Sequence, residues 1–259
     1  MKKSFYKNVN MDNRFGKFIH PFILFFFIGI ISFSCASETV SHNTLTREEI
    51  REGWILMWDG ETFDGWRGYN RDEFPASGWI IEDESLTCIG GRVERAQRGG
   101  DIIYDEKFLN YHLSLEWKIS ENGNSGIIYL VQEQPRGPAW TGPEYQLLDD
   151  DGHPDGAQGR DGNRKSAALY DIKPAVPQNT NPPGQWNHAE IIIKDSYVTH
   201  RQNGVDVVKF QLGSAEWFEM VEKSKFNGVQ RFGMYIPGYI ALQDHGDDIW
   251  FRNIKIKPL

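Results

Sequence analysis

The stretch "NYHLSLEWKIS", Asn110 to Ser120, alternates apolar and polar residues without a fault for nine positions. Tyr111, Leu113, Leu115, Trp117 and Ile119 fall on one side, and His112, Ser114, Glu116 and Lys118 on the other. A period of two belongs to a strand with one buried face, and it cannot be wound into a helix without scattering that face. The pattern recurs in "GWIIEDESLTCIG", "GDIIYDE", "SGIIYLVQ", "PEYQLLD", "SAALYDI", "NHAEIIIK", "YVTHRQNGVDVVKFQ", "RFGMYI", "GYIALQDHG" and "DIWFRNIKIK". Asn203-Gly204 suits a type I′ hairpin turn, and Glu82–Glu84 a second turn between strands. Thr46 followed by Glu49 is a capping-box spacing that starts a short helix near Arg47, and Ser214 is placed to cap another over Ser214 to Phe226. So many short strands with one or two short helices predict an all-β chain folded as an antiparallel two-sheet jelly-roll sandwich with long loops.

The first residues stand outside that pattern. Lys2, Lys3, Lys7, Arg14 and Lys17 precede the apolar run "FILFFFIGIISF", which ends at Ser34-Cys35. This order reads as a lipoprotein signal peptide over residues 1–34, with Cys35 as the lipid-modified mature N-terminus. A polar tether over 35–44 and a single domain over 45–259 complete the organisation. The expected location is the cell envelope, periplasmic or outer-membrane anchored, with membrane contact only through the lipid. Cys88 is then the one remaining thiol, in the strand-like context "SLTCIG", and reads as a small core residue. Without residues 1–34 the chain keeps 23 basic against 35 acidic residues and no basic cluster, which excludes nucleic acid as a partner. The composition does not fix an oligomeric state.

The stretch "GPEYQLLDDDGHPDG" joins a strand to a loop full of chemistry. Glu144 and Gln146 share one face of the strand, and Tyr145 and Leu147 the other. Glu116, Glu190, Gln243 and His245 also fall on the polar sides of their strands. If these strands share a sheet, its uncovered face collects carboxylates, amides and an imidazole, a set suited to a ligand with many hydroxyls. Trp140 and Trp186 beside proline-containing loops are candidates to stack on a sugar ring.

Seven segments in order, "LMWDGETFDGW", "LSLEWKISENGNSGI", "GPEYQLLDDDGHPD", "AALYDIKPA", "GQWNHAEIIIK", "QNGVDVV" and "GYIALQDHGDDIWFRNIKIK", resemble the 3-keto-disaccharide hydrolase domain over about residues 50 to 259. Such domains are common in exported and lipid-anchored proteins of Bacteroidetes-type bacteria. The resemblance implies a concanavalin-A-like jelly roll and cleavage of glycosides, 3-keto-glucosides or 3-keto-disaccharides, whose sugar is oxidised at C3. Two departures stand out: Trp58-Asp59-Gly60 replaces a common Phe-Asn-Gly, and "IIYLVQE" lacks an arginine often found after the Asn-Ser-Gly motif.

A ketone at C3 acidifies the C2 proton, so a base can remove it, expel the C1 substituent and leave an unsaturated sugar for water to hydrate. The resemblance makes Glu144 and His245 the expected proton-transfer pair. Gln146, Asn124, Asn187 and Gln243 are expected to orient hydroxyls or the ketone. Glu116, Asp149, His153 and Asp155 are suited to bind substrate or a divalent ion, the one cofactor the pattern admits. Two rival readings remain: a non-catalytic carbohydrate-binding module, and a laminarinase-like glycosidase. The latter needs Glu-x-Asp-x-x-Glu, where this chain has Gln146 and Asp149 at the second and third positions.

Overall fold

The computed structural model describes residues 41–259. The leader, Cys35 and most of the tether therefore lie outside the described residues. The chain begins with α1 (Arg47–Glu52), β1 (Ile55–Leu56), β2 (Trp66–Gly68), β3 (Trp79–Glu82), β4 (Ser85–Ile89) and β5 (Ile102–Tyr104). It continues through β6 (Tyr111–Ile119), β7 (Asn124–Val131), β8 (Glu144–Leu148), β9 (Asn187–Lys194), β10 (Tyr197–Gln202) and β11 (Val205–Gln211). Helix α2 (Ala215–Glu222), β12 (Tyr239–Leu242) and β13 (Asp248–Pro258) complete it. All pairings are antiparallel and form two sheets, so the fold is the all-β jelly-roll sandwich expected. The larger sheet runs β11-β10-β9-β6-β13-β4-β3, with β1 added on β13, and the smaller runs β2-β5-β12-β7-β8.

The core lies between the sheets and is built by the alternation read above. Tyr111, Leu113, Leu115, Trp117 and Ile119 of β6 are buried against Ile127, Tyr129, Tyr145 and Leu147 of the smaller sheet. Five of the nine tryptophans are buried, so the aromatic richness mostly serves packing. Cys88 is buried among them and its thiol is pushed up by burial, as befits a core residue. One polar network crosses this layer. The Tyr129 hydroxyl meets His200 Nε2 at 2.8 Å, and His200 Nδ1 lies 3.0 Å from the Ala167 carbonyl. With Nδ1–H donated to that carbonyl, Nε2 accepts from Tyr129. Burial depresses this histidine to about 4, which keeps it neutral.

The local signals act as read. Thr46 and Glu49 cap α1 reciprocally, Ser214 caps α2, and Asn203 and Gly204 both take positive φ in the β10–β11 turn. Two expected strands are not regular. "SAALYDI" lies along the outer edge of β8 through a single Tyr145–Leu169 bridge, because Ala167 (φ 62) and Asp171 (φ 60) turn the chain out of register. "RFGMYI" is likewise broken into turns by Arg231 (φ 58) and Gly233 (φ 68).

Candidate active site

The outer face of the smaller sheet divides into an apolar half and a polar half. Ile103, Ala241, Ile128 and Glu144 form one row across β5, β12, β7 and β8. The three apolar members are covered by Tyr69, Ala139 and Tyr239, so Glu144 stands at the end of a dry row. The adjacent row holds Gln243, Gly126 and Gln146, set by the Gln243 N–H bond to the Gly126 carbonyl and the β7–β8 register. Gly126 is required here. A Cβ at that position would lie 2.3 Å from Glu144 Oε1, so the carboxyl occupies the space a side chain would fill.

Glu144 is 5 % exposed. Burial pushes its carboxyl up to about 7, the charges of Lys225 and His245 pull it down, and Asp101 and Asp155 push it up further. The Gln146 amide, turned so that both its ends are satisfied, donates to Glu144 Oε1 at 3.1 Å and to the Ser125 carbonyl at 3.0 Å. The strand itself is held on both sides. β7 pairs along one edge, and along the other the Tyr170 N–H donates to the Glu144 carbonyl, the Ala167 N–H donates to the Gln146 carbonyl, and the Gln146 N–H donates to the Ala168 carbonyl.

His245 faces the same site from the loop after β12 and is exposed. Asp247 raises its basicity first, against burial, and the negative charges of Glu144 and Asp155 add to the effect. Asp247 is itself fixed by the Asn124 N–H at 3.1 Å. Gln243 reaches the face with a buried Oε1 that has no partner among the described residues, an acceptor ready for a ligand hydroxyl.

Three further groups escaped the sequence reading. Lys225, after α2, places its Nζ over the Tyr170 and Phe226 rings, 4.0 Å and 5.1 Å from their centres. Burial lowers its affinity for a proton, opposed by the charges of Glu144, Asp171 and Asp155. The Tyr170 hydroxyl donates to Asp155 at 2.6 Å, and Arg164 donates to the other oxygen of Asp155 at 2.9 Å. Burial works to raise Asp155, but these two donors outweigh it and hold the carboxyl below its ordinary value. Asp101, just before β5, is pushed up to about 6 by burial while accepting the Asp244 N–H at 2.9 Å. Tyr170 lay within a quoted motif; Asp101 and Lys225 carried no periodic or spacing signal.

Several sequence-nominated residues sit elsewhere. Glu116 and Glu190 are on the outer face of the larger sheet, not beside Glu144. There Glu116 accepts from Arg252, and Glu190 meets His112 at 2.7 Å and Arg201 at 3.4 Å. Asn187 is buried in β9, where its Oδ1 accepts the Asn181 N–H at 2.7 Å and fixes the proline-rich loop. Asp149 accepts the Asn122 and Gly152 N–H groups at 2.8 Å and 3.1 Å, which makes it the pin of a turn. It borders a cavity of about 690 Å³ at the end of β8, whose neighbouring carboxylate Asp150 is engaged by Ser166 and Thr180. Each tryptophan carries a guanidinium on its ring: Arg136 lies 3.3 Å over Trp140, and Arg252 3.9 Å over Trp186.

For a divalent ion, the described residues bring one ligand atom each from His153, His245 and Asp247 within 4.8 Å of one another. Of the residues nominated from the sequence as ion ligands, only His153 belongs to this group. Its Nδ1 accepts the Asp155 N–H at 3.1 Å, which places the ring proton of the neutral imidazole on Nε2. With that turn intact the neutral His153 ring offers its Nε2–H, not a lone pair.

Residues 53–257 match the family described as the 3-keto-alpha-glucoside-1,2-lyase-like domain. A 3-keto-disaccharide hydrolase of Bacteroides thetaiotaomicron is 41 % identical over 251 residues, covering 88 % of this chain and 86 % of that protein. Among solved structures, a protein of Parabacteroides distasonis provisionally described as a glycosyl hydrolase superposes with a TM-score of 0.75 at 35 % identity, covering 85 % of this chain and all of that one. A second from the same organism, described alike, gives 0.56 at 27 % identity, covering 80 % and 84 %. The chain thus belongs to the 3-keto-alpha-glucoside-1,2-lyase-like domain family.

Proposed function

We propose that this carbohydrate-active hydrolase cleaves 3-keto-glycosides, 3-keto-disaccharides among them, by elimination followed by hydration. The observation that carries the reading is Glu144, a buried carboxyl at about 7 on a face otherwise lined with hydrogen-bonding groups. A base so poised is partly ionised near neutrality, yet strong enough to take a proton from carbon next to a ketone. The name of the Bacteroides relative and the family description support the substrate class.

In this mechanism Glu144 removes the C2 proton and the electron pair is held as the enolate of the C3 ketone. The enolate collapses, the C1–O bond breaks, and His245 gives its proton to the departing oxygen. Water then adds at C1 of the enone and gives its proton to the now neutral His245, and C2 takes a proton from Glu144 after the carboxyl has exchanged with solvent. Asp247 keeps His245 oriented and protonated for the first half, and the Lys225 ammonium offers a positive charge to developing oxyanions. Gln146 positions Glu144, and Gln243 accepts from a sugar hydroxyl. A laminarinase-like retaining mechanism would need a second carboxylate on the same strand, but Asp149 is committed to its turn.

Turnover in heavy water tests this. The expected product carries deuterium at C2, and the unoxidised parent glycoside is inert. A product unlabelled at C2, measured against a no-enzyme control for ketone exchange, rules the elimination out.

A further inference from the structure

We propose that a cavity beside Trp140 is a subsite for an anionic second sugar unit, a uronic acid held by its carboxylate. The cavity has a volume of about 510 Å³ and is lined by Arg136, Trp140, Lys225, Gln230 and Tyr235, with Gln134 and the turn at Asn227–Val229. Two cations and no carboxylate line it, in a chain whose net charge is −8. Unlike Arg67, Arg92, Arg164, Arg201 and Arg252, Arg136 forms no ion pair among the described residues. Its guanidinium is instead stacked 3.3 Å from the centre of the Trp140 ring, and Trp140 is itself set edge-on against Phe226 at 5.8 Å.

Stacking fixes the plane of the guanidinium and leaves its edge N–H groups directed along that plane. That edge is a fork that matches the two oxygens of a carboxylate, and a neutral hydroxyl uses only half of it. Lys225, also without an ion-pair partner among the described residues, stands at the junction between this cavity and Glu144. Gln134 donates to the Tyr235 oxygen at 2.9 Å, so the Tyr235 O–H is left to donate to a ligand. Gln230 adds an amide for ring hydroxyls. A sugar seated over Glu144 would pass its second unit by Lys225 into this cavity; that placement rests on the function proposed above, while the binding chemistry does not.

The test separates the two. Titrations of the protein with glucuronate and with glucose, read by saturation-transfer NMR, are expected to show glucuronate binding about tenfold more tightly, a preference that Arg136→Gln abolishes and added salt weakens. Equal binding of the two sugars, or a preference that survives Arg136→Gln, overturns the subsite. Turnover is then compared on 3-keto-glucosyl disaccharides with glucuronate or glucose as the leaving unit. A higher kcat/KM for the glucuronate compound supports the subsite. Equal values overturn it and leave the activity standing. No turnover of either, with Arg136-dependent glucuronate binding retained, removes the proposed activity and supports the subsite.

Discussion

Replacing Glu144 by Gln should make the protein more stable, and increasingly so as the pH rises. The folded carboxyl sits at about 7, against 4.5 for an ordinary glutamate. Between those values the folded state holds a proton that the unfolded chain has released, so stability falls with rising pH across this window and is flat above it. At about 1.36 kcal/mol per pH unit, the whole shift amounts to roughly 3 kcal/mol of destabilisation at pH 8, an upper figure for a group next to the cation Lys225. The substituted amide cannot ionise, keeps the volume, and retains an oxygen for the Gln146 amide. In a domain of this size about 3 kcal/mol corresponds to roughly 6–12 °C in Tm. Thermal or urea unfolding of both proteins from pH 4 to pH 9 measures the difference. It should be near zero at pH 4 and grow to its full size by pH 8, while turnover falls on the order of 100-fold for a lost general base. A difference independent of pH, or a variant less stable at pH 8, refutes the account of Glu144 as a buried carboxyl with no counter-charge in contact.

Gly126→Ala should fold and yet lose turnover. The new methyl displaces the Glu144 carboxyl, whose Oε1 stands 2.3 Å from its position, and a misplacement of about 1 Å can cost on the order of 100-fold. Full activity in this variant would place the chemistry elsewhere. Removing divalent ions with a chelator should leave turnover unchanged, because the His153 ring is held as a donor by the Asp155 N–H. Loss of activity on chelation, restored by one added metal, would show that the trio of His153, His245 and Asp247 binds an ion.

The strands were legible because their period is two and one face is dry. Alternation tells a residue's side relative to the core. It does not tell which of two layers the strand joins, since both outer faces of a sandwich carry the same polar signature. That is why Glu116 and Glu190 were grouped with Glu144 although they lie on the opposite surface. Glu144, Gln146 and Gln243 were placed together correctly because their strands happen to share the smaller sheet. Lys225 arrives from a loop after α2 and Asp101 from the residue ahead of β5, positions fixed only by tertiary packing. "SAALYDI" misled for a local reason: its apolar residues do face the core, but left-handed residues break the ladder.

The two outer faces differ in a way that bears on function more than either list of residues does. On the larger sheet the charges neutralise one another: Glu116 with Arg252, Glu190 with His112 and Arg201, and Lys255 with Glu49. Pairs of this kind are what a solvated surface needs and contribute little to stability. On the smaller sheet Glu144 is drier than any of them, and no cation among the described residues contacts it. Its nearest opposing charges act from Lys225 and His245 through space. A glutamine would fit the same position and relieve the strain of ionisation there. The carboxyl raises the energy of the folded state at every pH above its ordinary value, and its charge forms no ion pair among the described residues. What the charge does supply is a base of matched strength at the floor of a hydrogen-bonding face, and that is the property a reaction at a carbon acid requires.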